Sequence, residues 1–266
     1  MDLSAITDLL TRVGEEALLP RLERVAAQTK ADGSLLSEAD LAVDRAIRLG
    51  LERLYPSIAL LSEEMTSAEQ TALLDSGRPV WCLDPLDGTT NFLANFPLFS
   101  LSLALIEDGQ VTLGVIRDPV RAETFAAQKG QGAFLNGRRL QRRLTSLPMD
   151  QWVALVDFKR LPSGLAARLA TRPPYASQRN LGTCALEWAW LAAGRGHAYL
   201  HGGMRLWDYA AGSLLLEEVG GVCATLEEEP IFRSDPGPRS VVAATDATAY
   251  RAWQDALKKL SSEERA

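Results

Sequence analysis

Four short apolar runs between residues 80 and 127 constrain the fold more than any other feature of the chain. They lie at 80–83, 98–106, 111–117 and 122–127, and turn sequences such as EDGQ and DPVR separate them. Apolar runs of this length with polar turns between them are typical of neighbouring strands joined by hairpins. The pattern therefore predicts a meandering antiparallel sheet in this part of the chain.

Helices are predicted on the N-terminal side of this sheet. Apolar residues recur at helical spacing from Leu3 to Ala17, which indicates an amphipathic helix. Ser37 has the side chain and position of a helix N-cap. The predicted elements are a helix at 2–28, a turn at 30–34, a second helix from Ser37 to about Leu54, a strand at 58–61 and a helix at 66–75.

The second half of the chain alternates between strand-like and helix-like segments. Gly130, Gly132 and Gly137 are placed in a loop that closes the first half. Alternation of this kind is typical of an α/β layer. An α/β (α+β) fold is therefore predicted, with an N-terminal α+β domain at 1–145 and a C-terminal α/β domain at 146–266. The predicted strands are 152–157, 197–200, 222–225 and 241–244, and the predicted helices are 162–171, 183–193, 207–219 and 247–260.

Charge and composition argue against several classes of protein. The formal net charge is −6, and the local basic cluster at 138–143 is too short for a nucleic-acid-binding face. No apolar run reaches the roughly 20 residues of a membrane span, and acids stand where a signal peptide carries basic residues. We therefore expect a cytoplasmic protein with no membrane partner and no direct nucleic-acid partner.

The chain has three cysteines and two histidines, all in scattered positions. A disulfide framework or a zinc site of the His/Cys type is therefore not expected. Any metal should be a hard ion that is held by oxygen ligands.

The segment VWCLDPLDGTTNF at 80–92 carries the first candidate chemistry. Pro85 disfavours helical geometry at Asp84, so a turn can bring the carboxylates of Asp84 and Asp87 to one point. Close carboxylates repel each other unless a cation such as Mg²⁺ lies between them. Gly88 and the N–H groups after it can form a nest for an anion. An Asx-turn explains the same residues without any function.

Two other acidic segments are candidates for the same site. Glu63 follows the strand at 58–61, and the ends of adjacent strands would bring it close to Asp84. Asp208, in WDYAAG at 207–212, lies in the first turn of a helix, where the helix dipole favours negative charge. A solvated helix start and a helix cap are the simpler explanations. Only the three segments together predict a metal site for phosphate ester hydrolysis.

Four motifs together resemble the inositol monophosphatase family of Mg²⁺-dependent, lithium-inhibited phosphatases. DPLDGTTNF at 84–92 and WDYAAGSLLLEEVGG at 207–221 are similar to its two signatures. SEE at 62–64 and KADGSLLSEAD at 30–40 are similar to its other motifs in order and spacing. The resemblance implies a layered αβαβα sandwich of the inositol monophosphatase and fructose-1,6-bisphosphatase type, and a homodimer.

The resemblance also implies a ligand set for magnesium. It assigns Glu63, Asp84 and the backbone carbonyl of Leu86 to one ion, and Asp84, Asp87 and Asp208 to a second. Two or three Mg²⁺ ions are the expected cofactor, with Mn²⁺ as a substitute.

Catalytic roles follow from the same resemblance. The Thr89 hydroxyl is expected to pair with Asp40 and to orient or deprotonate the attacking water, and Glu63 to share that task. Lys30 would lie near a third metal or the phosphate. From the residues alone, Asp40 is better explained as surface charge on a helix and Lys30 as a solvated loop lysine.

Substrate contacts are expected from both halves of the chain. The segment at 182–184 opens a helix whose N–H groups could hold hydroxyls or an anion. His201 departs from the family, because relatives that hydrolyse inositol phosphates carry Glu there and an imidazole lacks that acceptor pair. An exposed loop histidine without a ligand explains it equally well, and Arg205 could attract a second anionic group. The expected contacts are Asp87, Gly88, Thr89, Gly182, Thr183, Cys184, His201 and Asp208.

The predicted activity is Mg²⁺-dependent hydrolysis of a small polyol phosphate by a metal-activated water, with myo-inositol monophosphate as the first candidate. Thr90 favours this ester, because relatives acting on 3′-phosphoadenosine 5′-phosphate, and many acting on histidinol phosphate, tend to carry Lys there. Those two esters are the alternatives. A regulatory protein-binding scaffold is the non-enzymatic alternative.

Overall fold

Backbone hydrogen bonds form two large sheets and one short strand pair in the computed structural model, which describes residues 1–22, 28–29 and 35–262. The strands are β1 (Gln28–Thr29), β2 (Leu35–Leu36), β3 (Ala59–Ser62), β4 (Val80–Asp87), β5 (Ser100–Glu107), β6 (Gln110–Asp118), β7 (Glu123–Gln128), β8 (Gly132–Leu135), β9 (Arg138–Arg139), β10 (Val153–Asp157), β11 (Ser177–Arg179), β12 (Ala198–Met204), β13 (Val222–Ala224) and β14 (Arg239–Ala244). The α-helices of the described residues are α1 (Leu3–Val13), α2 (Glu38–Leu54), α3 (Ser67–Asp75), α4 (Thr89–Leu93), α5 (Ser163–Thr171), α6 (Cys184–Ala192), α7 (Leu206–Glu218) and α8 (Ala247–Ser262).

The larger sheet confirms the predicted meander. Its seven strands follow chain order from β3 to β9, and every neighbouring pair from β4 onward is antiparallel. Only the edge strand β3 runs parallel to its neighbour β4. The smaller sheet has the order β11-β10-β12-β14-β13, in which β10 is parallel to both of its neighbours.

The elements stack in five layers, which confirms the αβαβα sandwich. Helices α1 and α2 cover one face of the larger sheet, and α6 and α7 lie between the two sheets. Helices α5 and α8 cover the outer face of the smaller sheet. Helix α7 is buried on nearly all sides because it packs against sheets in two directions, so its apolar residues form no single stripe.

The first helix ends earlier than predicted. The helix expected at 2–28 is α1, followed by a π-helical turn at Gly14–Leu18 and a 3₁₀ turn at Leu19–Arg21. Pro20 lacks the N–H group that a continuing α-helix needs. Residues 28–29 form a strand, so the prediction of helix to residue 28 was wrong. The turn predicted at 30–34 lies outside the described residues.

Further elements also differ from the prediction, among them the short strands β9 and β11, which were not predicted. The loop expected around Gly130, Gly132 and Gly137 contains the strand β8, which is flanked by glycines with positive φ in tight turns. Helix α4 was not predicted because it has only five residues, too few for a periodic pattern. The division at residue 145 falls between the two sheets, although one apolar core contains side chains from both halves. The two-domain division therefore stays a prediction.

No helix in the described part of the chain combines the length and the apolar surface that crossing a bilayer requires.

Gly212 is a point at which the packing of the central layer can be tested. Its position in α7 lies against α6, and a methyl group at residue 212 would overlap the Trp188 side chain. Overpacking of a buried contact costs about 1–3 kcal/mol. Gly212→Ala is therefore expected to lower the free energy of unfolding in urea by about that amount. Asp255→Ala, at an exposed position in α8, should stay within about 0.5 kcal/mol. Equal midpoints and slopes for the two variants would contradict the close approach of α6 and α7.

Candidate active site

The candidate site begins where two parallel strands end side by side. Strands β3 and β4 pair in parallel with Ser62 opposite Leu83. The Glu63 N–H donates to the Leu83 carbonyl at 3.1 Å. Glu63 and Asp84 therefore leave the sheet at the same edge, as the sequence predicted.

The turn from Asp84 to Asp87 is a bulge in β4. Asp84 lies opposite Ser102 and Asp87 opposite Ser100, so the β4 segment is one residue longer than its partner in β5. The Leu86 N–H donates to Asp84 Oδ1 at 3.1 Å, which is an Asx-type turn. The Asx-turn that explains this segment without any function is therefore present in the structure. A functional role for the segment depends on the residues around it.

Gly88 follows the bulge with a φ of +95°, in the left-handed region. A Cβ at this position would lie 3.1 Å from the Leu98 carbonyl and 3.3 Å from the Gly182 carbonyl. The backbone therefore needs glycine here both for its conformation and for the close approach of the segment at 182–184.

The Asp87 carboxylate caps a helix of the other half of the chain. Its Oδ1 accepts from the Cys184 N–H at 3.1 Å, and its Oδ2 accepts from the Ala185 N–H at 2.7 Å. The Thr183 hydroxyl makes a short hydrogen bond to the same Oδ2. The Thr183 side chain itself does not cap α6. Asp87 thus supplies from β4 the acceptor that an N-cap side chain normally provides.

Asp208 reaches the same region from the start of α7. Its Oδ2 accepts from the Arg205 N–H at 2.8 Å, which is the helix cap that the sequence allowed. The Ser102 hydroxyl, on the residue opposite Asp84, donates to the Trp207 carbonyl at 3.2 Å. Strand β5 therefore ties the beginning of α7 to the bulge.

The charges of these acids act on one another. Burial raises the pKa of Asp84, and the charges of Glu63, Asp87, Asp208 and Asp40 raise it further. Burial also raises the pKa of Asp208, with contributions from Asp87 and Glu63. The pKa of Asp87 is raised by burial against the opposing effect of its hydrogen bonds. The structure thus gathers the predicted acids into one electrostatic cluster.

This cluster is not a closed metal cage. Across residues 1–22, 28–29 and 35–262, no three His, Cys, Asp or Glu side chains are placed to hold an ion. Asp87 and Asp208 point oxygens at N–H groups instead. The donors nevertheless fit a hard cation, because they are all oxygen and their buried negative charge calls for one.

Asp40 and Thr89 meet beside this cluster. The Thr89 hydroxyl lies 3.3 Å from Asp40 Oδ1 and 3.1 Å from the Leu86 carbonyl. Asp40 also accepts from the Ser37 N–H and hydroxyl in a capping box, and is only 1% exposed. Its interpretation as surface charge on a helix was therefore wrong. Lys30 lies outside the described residues.

His201 is buried in β12, so the expectation of an exposed loop histidine was wrong. Its Nδ1 accepts from the Gly203 N–H at 3.1 Å. Its Nε2 lies 3.8 Å from Asp157 Oδ2 and 3.8 Å from the Cys184 sulfur. Burial lowers the pKa of His201 to about 4, Asp157 opposes that shift and Arg160 adds to it.

The suggestion that Arg205 attracts a second anionic group stays a prediction. The Arg205 Nη1 donates to the Pro236 carbonyl at 3.1 Å, which ties it to the loop at 233–238.

Three residues near the site were missed by sequence reasoning. Asp157 ends β10, a parallel strand, and its place resembles that of Asp84, so that signal could have found it. Glu187 is buried in α6 and accepts from the Leu181 N–H at 2.7 Å, and burial raises its pKa to about 8. Arg160 follows β10 in a turn and carries no local signal.

A cavity at some distance from the acidic cluster has a mainly apolar lining. It has a volume of about 490 Å³ and lies between α1 and the strands β6–β8. Its walls include Leu3, Ala126 and Phe134. None of the clustered acids lines it, so we place the candidate chemistry at the carboxylates and not in this cavity.

The fold and the site together define a class of proteins, the αβαβα sandwiches with an acidic cluster at the junction of the two sheets. The model of the inositol monophosphatase family matches residues 3–265, and the chain belongs to that family.

Named relatives and solved structures agree with this assignment. The chain is 34% identical to the Nus factor SuhB of Xylella fastidiosa, over 83% of this chain and 80% of that protein. It is 32% identical to the inositol-1-monophosphatase of Mesorhizobium japonicum, over 90% and 88%. The structure of the Thermotoga maritima IMPase covers 99% of both chains with 26% identity and a TM-score of 0.83.

The buried imidazole predicts a measurable pH dependence. As the pH falls from about 6.5 to about 4, an unfolded chain binds a proton at His201 that the folded chain does not bind, so stability falls. His201→Gln is expected to remove up to about 3 kcal/mol of this loss. Urea unfolding of both proteins across that pH range measures it. Parallel stability profiles for the two proteins would show that His201 is not held neutral.

Proposed function

We propose that the protein is a Mg²⁺-dependent phosphomonoesterase acting on small phosphate esters. The observation that carries the proposal is the convergence of Glu63, Asp84, Asp87 and Asp208, which reach one electrostatic cluster from β3, β4 and α7. Buried like charges are costly unless a cation or protons offset them. Family membership supports a phosphatase, and one relative is named an inositol-1-monophosphatase.

Magnesium would be held by the acids of this cluster and one carbonyl. Glu63, Asp84, Asp87 and Asp208, with the Leu86 carbonyl, supply only oxygen donors, which Mg²⁺ prefers. A structural neighbour at 22% identity, an IMPase/NADP phosphatase, is described in complex with Mg²⁺ and phosphate. Bound Mg²⁺ supplies positive charge that offsets the negative charge of the phosphoryl group and of the leaving oxygen.

The protein's own residues would position the attacking water and move its proton. Thr89 Oγ1 can accept a proton from water while it donates its own proton to Asp40 Oδ1, 3.3 Å away. The water oxygen then forms the new bond to phosphorus, and the ester oxygen leaves with the electrons of the broken bond. Glu63 is the second candidate base. The N–H groups of Gly88 and Thr89 would hold the phosphate.

The sequence places myo-inositol monophosphate first among the candidate substrates, with histidinol phosphate or 3′-phosphoadenosine 5′-phosphate as alternatives. The segment at 182–184 would contact the alcohol part, since Asp87 binds it and holds it beside Gly88. We also propose that the protein binds two or three Mg²⁺ ions, which Mn²⁺ can replace, and that it forms a homodimer. It would be located in the cytoplasm, without a membrane partner or a direct nucleic-acid partner. Its two domains would divide at residue 145.

A regulatory role is the second candidate. Several relatives, including those of Xylella fastidiosa and Pseudomonas aeruginosa, are named Nus factor SuhB. Those names favour a protein-binding function that does not require turnover.

Asp84→Asn is expected to reduce Mg²⁺-dependent phosphate release by at least about a hundredfold, because it removes one negative charge from the centre of the cluster. Circular dichroism should show an intact fold. The control Asp108→Asn, at an exposed turn with positive φ, should retain activity. Full activity in Asp84→Asn would contradict the proposed metal site.

A small panel of esters tests the substrate. Phosphate release from myo-inositol 1-phosphate, histidinol phosphate and 3′-phosphoadenosine 5′-phosphate is measured with Mg²⁺, with Mn²⁺ and with added lithium. We expect Mg²⁺-dependent release that lithium inhibits. If no ester is hydrolysed with either divalent ion, the enzymatic proposal fails, and a search for a protein partner becomes the test of the regulatory role.

A further inference from the structure

The turn at residues 159–160, after β10, packs against strand β12 next to the acidic cluster. Two adjacent glycines of β12 permit this contact, because a methyl group at Gly202 would overlap the Arg160 carbonyl. A Cβ at Gly203 would lie 3.8 Å from Arg160 Cδ. The backbone of Arg160 is therefore fixed against the strand that carries His201, and its side chain runs along Gly203.

Arg160 lies beside the candidate site. It packs against Gly202, next to His201. The His201 Nε2 lies 3.8 Å from the Cys184 sulfur, at the start of the helix that Asp87 caps. Arg160 is exposed, and within the described part of the chain its guanidinium has no hydrogen-bond or ion-pair partner. A cation in this position retains its donors for a ligand.

The neighbouring groups favour an acceptor-rich ligand at this place. His201 Nδ1 accepts from the Gly203 N–H, so the neutral ring carries its proton on Nε2 and offers a donor. The acid of the same region, Asp157, already accepts from the Lys159 N–H at 2.7 Å and lies 3.8 Å from that Nε2. Arg205, the cation suggested by the sequence, donates one hydrogen bond through Nη1 to the Pro236 carbonyl.

We propose that Arg160 binds a second anionic group of the substrate, so that the preferred ester carries a carboxylate or another phosphate besides the phosphate that is cleaved. This rests on the proposed phosphatase function and narrows its substrate class away from neutral polyol phosphates. Arginine suits the role, because its planar N–H donors match carboxylate and phosphate oxygens.

The test uses two pairs of esters that differ by one anionic group. The pairs are 3-phosphoglycerate with glycerol 3-phosphate, and 3′-phosphoadenosine 5′-phosphate with adenosine 3′-phosphate. We measure kcat and KM with Mg²⁺ for the natural protein, for Arg160→Gln and for Lys159→Gln. Lys159 is the matched control, because it is an exposed cation next to Arg160 and its loss changes the net charge equally.

The natural protein should prefer the charged member of at least one pair by about tenfold or more in kcat/KM, mainly through KM. Arg160→Gln should lose that preference and Lys159→Gln should keep it. The inference is overturned if the natural protein has no such preference, or if Arg160→Gln retains it.

Calorimetric binding of the same four esters separates this inference from the proposed function. If neither these four esters nor myo-inositol 1-phosphate is hydrolysed, but the charged esters bind more tightly and Arg160→Gln abolishes the difference, the site stands and the phosphatase proposal fails. If the charged esters bind no more tightly than their partners and myo-inositol 1-phosphate is hydrolysed, the inference about Arg160 fails and the phosphatase proposal stands.

Discussion

The Asp87 carboxylate is the interaction on which the arrangement of the site depends. It leaves the bulge at the end of β4 and accepts two N–H groups at the start of α6, with the Thr183 hydroxyl as a third donor. An acid of the first half thereby completes a helix of the second half. The N-terminus of a helix stabilises negative charge, so the same contact also lowers the cost of burying this acid.

The other acids accept fewer hydrogen bonds that would offset the free-energy cost of their burial. Asp84 is buried, and its Oδ1 accepts one N–H group, while four other carboxylates raise its pKa. Such an arrangement is destabilising in the absence of a cation, because each buried charge loses its hydration and repels the others. Buried carboxylates that repel each other are typical of functional sites, where the local structure is less stable than it would be without the function. The surrounding layers, in particular the buried helix α7, provide the rigid packing that tolerates this cost.

The proposed metal site and the proposed contacts to the rest of the substrate lie in different places. The relatives of this chain include both an inositol-1-monophosphatase and proteins named as Nus factors, at similar identity. Family membership therefore does not by itself define the substrate. The groups around β12, where His201 is buried and Arg160 approaches Gly202, are where this chain can differ from a phosphatase of neutral polyols.

The sequence alone was enough for most elements and for the membership of the acidic cluster. Strand β4 has a strong local pattern, and Ser37 is a cap that depends only on its neighbours in the chain. Elements of four or five residues, such as β8 and α4, were missed because they contain too few residues to show a period.

Contacts between remote residues could be decided only by the tertiary structure. The burial of His201, the capping of α6 by Asp87 and the approach of Arg160 to Gly202 all depend on segments that are distant in sequence. Hydrophobic periodicity and capping are properties of a few consecutive residues, so the sequence determines them. Burial and electrostatic coupling depend on how whole layers pack, so they exist only in the folded chain.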